Sequence, residues 1–163
     1  MKCVRNNRGF TLAEALMATA LLALCCATLG EAIVAGQMQA YDAQRTLRAT
    51  IMGEELMERI LSLPYNDPNG ASNPGPEAGE ASPGGFDNID DYHGYHESAG
   101  SAFVHSGVAV PTDLDVFDRS VTVTYGSMTV PAYGAPITGL TVVVTLTDAS
   151  GRRWTFQKFV PAP

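Results

Sequence analysis

The sequence predicts an α+β fold, with one long N-terminal helix packed on a small C-terminal antiparallel β-sheet. An apolar run of about 20 residues near the N-terminus is followed by apolar residues at helical spacing up to residue 63. Residues 64–100 are rich in Pro, Gly, Asn and Asp, which is typical of loops. From residue 103 onward apolar and polar residues alternate, as in strands with one buried face.

The apolar run, residues 10–29, is long enough to cross the hydrocarbon core of a bilayer as a helix. Glu31 follows it, and three basic residues precede it: Lys2, Arg5 and Arg8. The positive-inside rule therefore predicts that residues 1–9 stay in the cytoplasm and that the rest of the chain crosses the membrane. A carboxylate, Glu14, lies inside the run, where an ionised group costs several kcal/mol.

Simpler explanations of the run leave Glu14 unexplained. A secretory signal peptide has a shorter, uncharged core and a cleavage site between small residues. A lipoprotein signal needs a small residue before its cysteine, whereas Leu24 precedes Cys25. A plain single-pass anchor fits the length of the run but gives the carboxylate no purpose.

The N-terminal residues resemble the type IV prepilin signature, which joins a short basic leader ending in glycine to Phe-Thr-Leu-x-Glu and an apolar helix. Here Arg8-Gly9 precedes Phe10-Thr11-Leu12-Ala13-Glu14. The resemblance implies that a membrane aspartyl peptidase, the prepilin peptidase, cuts after Gly9 and methylates the new N-terminus at Phe10. It also implies an assembly role for Glu14, which would pair with the N-terminal amine of a neighbouring subunit in the filament.

The helix is expected to continue beyond the membrane. Residues 1–9 form the predicted leader, residues 10–29 the transmembrane and assembly helix, and residues 30–63 its amphipathic continuation, whose apolar residues recur at steps of three or four. Pro64 ends the helix. One face of the continuation is expected to pack on a globular domain.

Residues 64–163 are predicted to form a loop-rich periplasmic region whose sheet occupies about 103–160. The predicted strands and turns are Phe103–Val110, Val121–Tyr125, a turn at Gly126-Ser127 leading to Met128–Val130, Leu140–Thr147, a turn at Asp148–Gly151, and Arg152–Val160. Leu140–Thr147 is the clearest strand, because Val142, Val144 and Leu146 share one face. The last strand has aromatic residues on both faces, so the pattern does not decide which of its faces is buried.

Two groups of polar residues in residues 64–100 invite a metal-site interpretation. His93 and His96 flank Gly94-Tyr95, but this loop has none of the spacings of zinc enzymes. His105 is too uncertainly placed to be a third ligand. Asp87, Asp90 and Asp91 are candidate calcium ligands, although their spacing is not that of an EF-hand and turn-forming side chains explain them equally well.

Composition limits the remaining function classes. The formal net charge is −7, and no basic stripe with interleaved aromatic residues is present, so nucleic-acid binding is not expected. All three cysteines lie at or before Cys26, which excludes a disulfide or a cysteine-type zinc site in the C-terminal region. The sequence gives no reason to propose an enzyme.

The resemblance therefore implies a pilin-like subunit of a type IV pilus or of the pseudopilus of a type II secretion system. Glu31 stands where many major pilins carry a proline, and the C-terminal disulfide of many major pilins is missing, so a minor pilin or pseudopilin is expected. Leu63–Gly70 and Phe86–Glu97 also look similar to minor pilins of the MSHA (MshD) type.

The implied partners are the prepilin peptidase, other pilins or pseudopilins, and the assembly platform of the inner membrane. The subunit would lie in the bacterial inner membrane, with its C-terminal domain in the periplasm, before it enters the filament. The alternative from another class is a membrane-anchored, adhesin-like β module that binds a ligand and uses its helix only as a tether.

Overall fold

The computed structural model describes residues 9–68, 74–101, 110–129, 131 and 134–163. It confirms the predicted α+β arrangement, with a long helix and a four-stranded antiparallel sheet of order β1-β2-β3-β4. The elements are α1 (Leu12–Leu61), β1 (His96–Glu97), β2 (Phe117–Thr129), β3 (Pro136–Asp148) and β4 (Arg153–Pro161). The chain divides into two compact units, of which the first ends at Gln44 and the second runs from Arg45 to Pro163.

The first unit is the N-terminal part of α1. Its large apolar side chains are exposed, from Leu12 at 80% to Met38 at 66%. By length and composition this helix is apolar enough to cross a membrane, and the most apolar window within it is not buried by the rest of the chain. Such a surface is typical of a helix that is covered by lipid or by other helices.

In the second unit, α1 packs on the sheet through the residues after Arg48. The buried helix residues recur at steps of three or four: Ala49, Met52, Gly53, Leu56, Met57 and Ile60. The predicted stripe began earlier, at Ile33, but Ile33 is 54% exposed and Leu47 is 60% exposed. The sequence periodicity is therefore confirmed in the last turns of α1, whereas Ile33 and Leu47 have the same spacing but are exposed.

The sheet supplies the other half of the core through one face of β2 and β3. Buried residues alternate with less buried ones from Phe117 to Val123 in β2 and from Leu140 to Asp148 in β3. The apolar residues buried on this face are Phe117, Val121, Val123, Leu140, Val142, Val144 and Leu146. The strand prediction for residues 140–147 and its buried face are confirmed. One of the buried positions holds a cation, Arg119, which forms ion pairs with Glu55 of α1 and Glu97 of β1.

The hairpin between β2 and β3 differs from the prediction. A turn was expected at Gly126-Ser127, but both residues pair within β2, opposite Gly139 and Thr138. The prediction was wrong because a glycine-serine pair forms a hairpin turn only if the residues after it pair with the residues before it. Here the residues on both sides of the pair instead pair with residues 136–141 of β3. The expected strand Phe103–Val110 lies outside the described residues, apart from Val110.

The turn before β4 is confirmed. Asp148 Oδ1 accepts hydrogen bonds from the backbone N–H and the hydroxyl of Ser150 and from the backbone N–H of Arg152, and Gly151 has a φ of 81°. Trp154 and Phe156 of β4 pack against the core, and Trp154 meets Phe117 edge-to-face at 5.6 Å. The core therefore uses the face of β4 that carries Trp154 and Phe156, a choice that the sequence left open.

Residues 64–100 were predicted to be a loop, but their described part contains a 3₁₀ turn and a short strand. A single 3₁₀ turn, Asp90–Tyr92, places Tyr92 in the core, and β1 pairs with β2 through His96 and Glu97. The backbone just before β1 extends this pairing, since Gly94 N–H donates to Val121 O and Val121 N–H donates to Tyr95 O. The segment therefore covers the edge of β2.

Candidate functional site

The residues around the predicted cleavage point lie just before α1. Gly9, Phe10 and Thr11 have non-helical backbone, and the side chain of Phe10 is 91% exposed. An exposed peptide bond in non-helical backbone is the form in which a peptidase can bind its substrate. The structure thus places the bond between Gly9 and Phe10 next to the first turn of the apolar helix.

Thr11 and Glu14 form a reciprocal cap at the start of α1. The carboxylate of Glu14 accepts hydrogen bonds from the backbone N–H of Thr11 (2.9 Å) and from its hydroxyl (3.0 Å). The Thr11 hydroxyl in turn accepts one from the backbone N–H of Glu14, at 3.2 Å. This capping box satisfies backbone donors that would otherwise lack partners at the helix start. The Thr-x-x-Glu spacing was visible in the sequence, but its capping role was not predicted.

The cap and the expected assembly role of Glu14 are compatible. Within one chain, two hydrogen bonds from Thr11 hold the carboxylate at the first turn of the helix. A carboxylate held there lies near the residue that would become the N-terminus after cleavage at Gly9. The local structure thus orients the group that would meet a neighbouring ammonium.

The acidic stretch before β1 is built around a second reciprocal cap. Asn88 Oδ1 accepts the backbone N–H groups of Asp90 and Asp91 at 2.8 and 3.1 Å. Asp91 Oδ2 accepts those of Asp87 and Asn88, at 2.8 and 3.0 Å. Asn88 and Asp91 are both fully buried, and the aromatic rings of Phe86, Tyr92 and Tyr95 pack edge-to-face beside them. The turn is therefore held rigidly.

Two of the three candidate calcium ligands, Asp90 and Asp91, have different neighbours. Asp90 Oδ2 accepts a hydrogen bond from the hydroxyl of Tyr125 on β2. Burial and this hydrogen bond raise the pKa of Tyr125 above its usual range. Asp91 instead lies with Glu77 and Glu80, which were not among the predicted ligands, and one carboxylate oxygen from each of the three residues lies within 4.8 Å of the others.

Burial, and after it the neighbouring carboxylates, raises the pKa values of carboxyl groups in this segment. Burial, a hydrogen bond with Glu80, and the charges of Asp67 and Asp91 raise the pKa of Glu77 to about 7. Burial is also the main cause that raises the pKa of Asp91 and of Asp87. No local spacing rule could have selected Glu77 and Glu80, because only the folding of residues 64–100 brings them to Asp91.

The two described histidines of the second candidate site have separate positions. His93 Nδ1 accepts the backbone N–H of Val123 at 3.2 Å, so this nitrogen is used in pairing with β2. His96 lies exposed on β1. The carboxylate group of Glu77, Glu80 and Asp91 contains no histidine. His105 lies outside the described residues.

The comparisons with known proteins identify the N-terminal segment. Residues 4–30 match the family model of the prokaryotic N-terminal methylation motif. The match includes Gly9, Phe10, the Thr11–Glu14 cap and the apolar part of α1 up to Gly30. No curated protein and no solved structure matches the chain significantly.

Proposed function

The methylation motif makes this chain a type IV pilin-like protein, and from that premise we propose that it is a minor pilin or minor pseudopilin that assembles through α1. In this proposal the prepilin peptidase cuts after Gly9 and methylates Phe10. The mature subunit then enters a type IV pilus or a type II secretion pseudopilus. The motif indicates a structural subunit rather than an enzyme.

The observation that carries the proposal is the position of the Thr11–Glu14 cap. It lies at the start of a helix whose apolar side chains are exposed and which is long enough to span a membrane. The motif and the apolar helix are together consistent with membrane anchoring. The small residues among the first turns, such as Ala13 and Ala20, would allow helices of neighbouring subunits to approach closely.

Two features favour a minor subunit. The C-terminal unit has no cysteine, so burial and ion pairs hold it together without a disulfide. The described residues 74–100 form an irregular segment that pairs with β2 through its last residues. The basic residues before the apolar run and Glu31 directly after that run support an inner-membrane precursor with its C-terminal unit in the periplasm.

The test measures processing and assembly separately. We expect mass spectrometry of the full chain to show loss of residues 1–9 and a methyl group on Phe10 only when a prepilin peptidase is co-expressed. Glu14→Leu should be processed normally but be recovered at least about tenfold less in sheared filaments, because each carboxylate–ammonium pair is worth on the order of 1–3 kcal/mol.

Glu31→Gln is the matched control, since it removes another carboxylate from the same helix and should leave recovery unchanged. Cleavage at another position, or an intact leader in the presence of the peptidase, would contradict the proposal. Undiminished assembly of Glu14→Leu would contradict the assembly role of Glu14. Normal processing of the unmodified chain without recovery in sheared filaments would favour the alternative, a ligand-binding β module that is tethered by its helix.

A further inference from the structure

The sheet ends in an open strand edge at β4. This strand is the last in the order β1-β2-β3-β4, and β3 is the strand that pairs with it among the described residues. The even-numbered residues of β4 make the backbone hydrogen bonds to β3, because Ala162 N–H donates to Thr138 O in the same register. The N–H and C=O groups of the odd-numbered residues, such as Thr155 and Gln157, therefore point away from β3, where a further strand can bond to them.

A groove lies beside this edge, between β4 and α1. It has a volume of about 610 Å³ and is lined by Glu54, Met57, Glu58 and Leu61 of α1 and by residues 155–158 of β4. Met57 and Leu61 supply apolar surface, whereas Glu54 and Glu58 are exposed carboxylates. A volume of this size falls within the range of ligand pockets and holds several side chains of an added strand.

The charges of the groove favour a basic occupant. Among the residues that the structure describes, neither Glu54 nor Glu58 forms an ion pair, and Lys158 is the cation that lines the groove. Two carboxylates therefore accompany one ammonium group, and a Lys or Arg side chain of an incoming strand would compensate the excess. A second copy of β4 does not fit, because its Trp154 and Phe156 already pack on its own core and cannot enter this groove.

We propose that the β4 edge and this groove bind an extended segment of another protein, which adds a fifth strand to the sheet and directs both apolar and basic side chains into the groove. The backbone groups of β4 supply affinity, and the groove selects the side chains, since every second residue of the added strand faces it. The apolar side chains would contact Met57 and Leu61, and the basic ones Glu54 and Glu58. This binding goes beyond the assembly of the subunit through α1 and does not depend on it.

The probe is a capped, fluorophore-labelled peptide, Val-Thr-Lys-Thr-Val-Thr-Lys-Thr-Val, in which every second side chain is valine or lysine. Its binding to the full chain in detergent micelles is measured by fluorescence anisotropy. The matched control peptide has glutamate in place of both lysines. We expect the lysine peptide to bind at least about tenfold more tightly than the glutamate peptide, because Glu54 and Glu58 attract the first and repel the second.

Variants of the groove test the contribution of charge. Glu54→Gln combined with Glu58→Gln should reduce the preference for the lysine peptide to less than about threefold, since both attracting charges are gone. Both side chains are exposed, so the double variant should fold. Glu31→Gln removes an exposed carboxylate of α1 that does not line the groove, and it should leave the preference unchanged.

Variants of the strand edge test the pairing itself. Gln157→Pro removes an N–H that points away from β3, so the chain should fold but bind the lysine peptide at least about tenfold more weakly. Gln157→Thr keeps this N–H and should bind as the unmodified chain does. Trp154, the single tryptophan, contacts Phe117 in the core, and its fluorescence verifies that each variant is folded.

Hydrogen exchange of the unmodified chain decides the same point if Gln157→Pro fails to fold. The bound lysine peptide should slow exchange in residues 153–159, and unchanged exchange there would contradict strand pairing. Equal affinity for the two peptides, or binding that survives Gln157→Pro in a folded chain, would overturn the proposal. Self-association of the unmodified chain that Gln157→Pro abolishes would also overturn it, since the edge would then belong to a second copy.

Discussion

At the residue scale, the core holds a buried cation, Arg119, whose ion pairs connect several elements. The side chain of Arg119 is 1% exposed, and its guanidinium forms ion pairs with Glu97, which is equally well buried, and with the half-exposed Glu55. Glu97 also accepts a hydrogen bond from the Tyr95 hydroxyl. Burial and this interaction raise the pKa of Tyr95 above its usual range, so the phenol stays a donor at neutral pH. Arg119 thus joins α1, β1 and β2.

We predict that Arg119→Met lowers the free energy of unfolding of the C-terminal unit by about 3 kcal/mol, because it leaves the Glu97 carboxylate buried without its cation. The measurement is denaturant unfolding of the full chain, followed by Trp154 fluorescence. Adding Glu97→Gln should recover part of the loss, since the amide is neutral and can still accept from Tyr95.

Arg48→Met is the control for the loss of an arginine. Its ion pair with Asp113 is 3.8 Å long and largely exposed, so the change should cost less than about 1 kcal/mol. Equal losses for Arg119→Met and Arg48→Met would show that the buried ion pairs do not stabilise the core.

At the element scale, the close approach of α1 and β4 depends on Gly53. A β-carbon at this position would lie 2.3 Å from Cε2 of Phe156, which is far inside van der Waals contact. The sequence alone shows Gly53 as a weak point in a helix, because glycine lowers helix propensity. The structure gives the reason for it, since the ring of Phe156 packs where a side chain would be.

We predict that Gly53→Ala lowers the free energy of unfolding by about 1 kcal/mol. Overpacking typically costs about 1–3 kcal/mol, and the higher helix propensity of alanine returns part of this. In a chain that already carries Phe156→Leu, Gly53→Ala should be neutral or stabilising relative to Phe156→Leu alone. The reason is that the ring that the new methyl group would meet has been removed. A double-mutant cycle of the two changes measures the coupling, and zero coupling would contradict this packing explanation.

At the scale of the whole molecule, the C-terminal unit is held at both ends of its part of α1. Arg45 Nε lies 2.8 Å from Asp148 Oδ2, which links the helix to the β3–β4 turn. Ile89 N–H donates to Pro64 O, which links the segment before β1 to the end of the helix. Burial acts to raise the pKa of Asp148, but hydrogen bonds from Ser150 and Arg152 and the charge of Arg45 hold it below its usual value.

We predict that the stabilising effect of the Asp148 charge is present at neutral pH and disappears in acid. Because the folded pKa is below the unfolded one, the unfolded state binds more protons as the pH falls, and stability is lost below about pH 4. Asp148→Asn keeps the acceptor oxygen of the turn and removes the charge. The difference in thermal unfolding midpoint between the unmodified chain and Asp148→Asn should therefore shrink as the pH is lowered toward 3. A difference that stays constant with pH would contradict the prediction.

Much of this architecture was predictable because it depends on short-range patterns. The apolar run, the proline at residue 64, the alternation in residues 140–147 and the turn at Asp148–Gly151 are each encoded within a few neighbouring residues. The same applies to the methylation motif at residues 4–30. Periodicity and turn chemistry act locally, so a single sequence reveals them.

The tertiary structure alone decided which residues far apart in the chain meet. It selected the face of β4 that is buried, extended β2 through Gly126, and turned Asp90 toward Tyr125 while placing Asp91 with Glu77 and Glu80. It also assigned Arg119 to the core, where a sequence pattern predicts an apolar residue. These outcomes depend on contacts between segments that are far apart in the chain. The packing of α1 on the sheet determines them, because side chains of the helix and of the strands become buried only where the two elements meet.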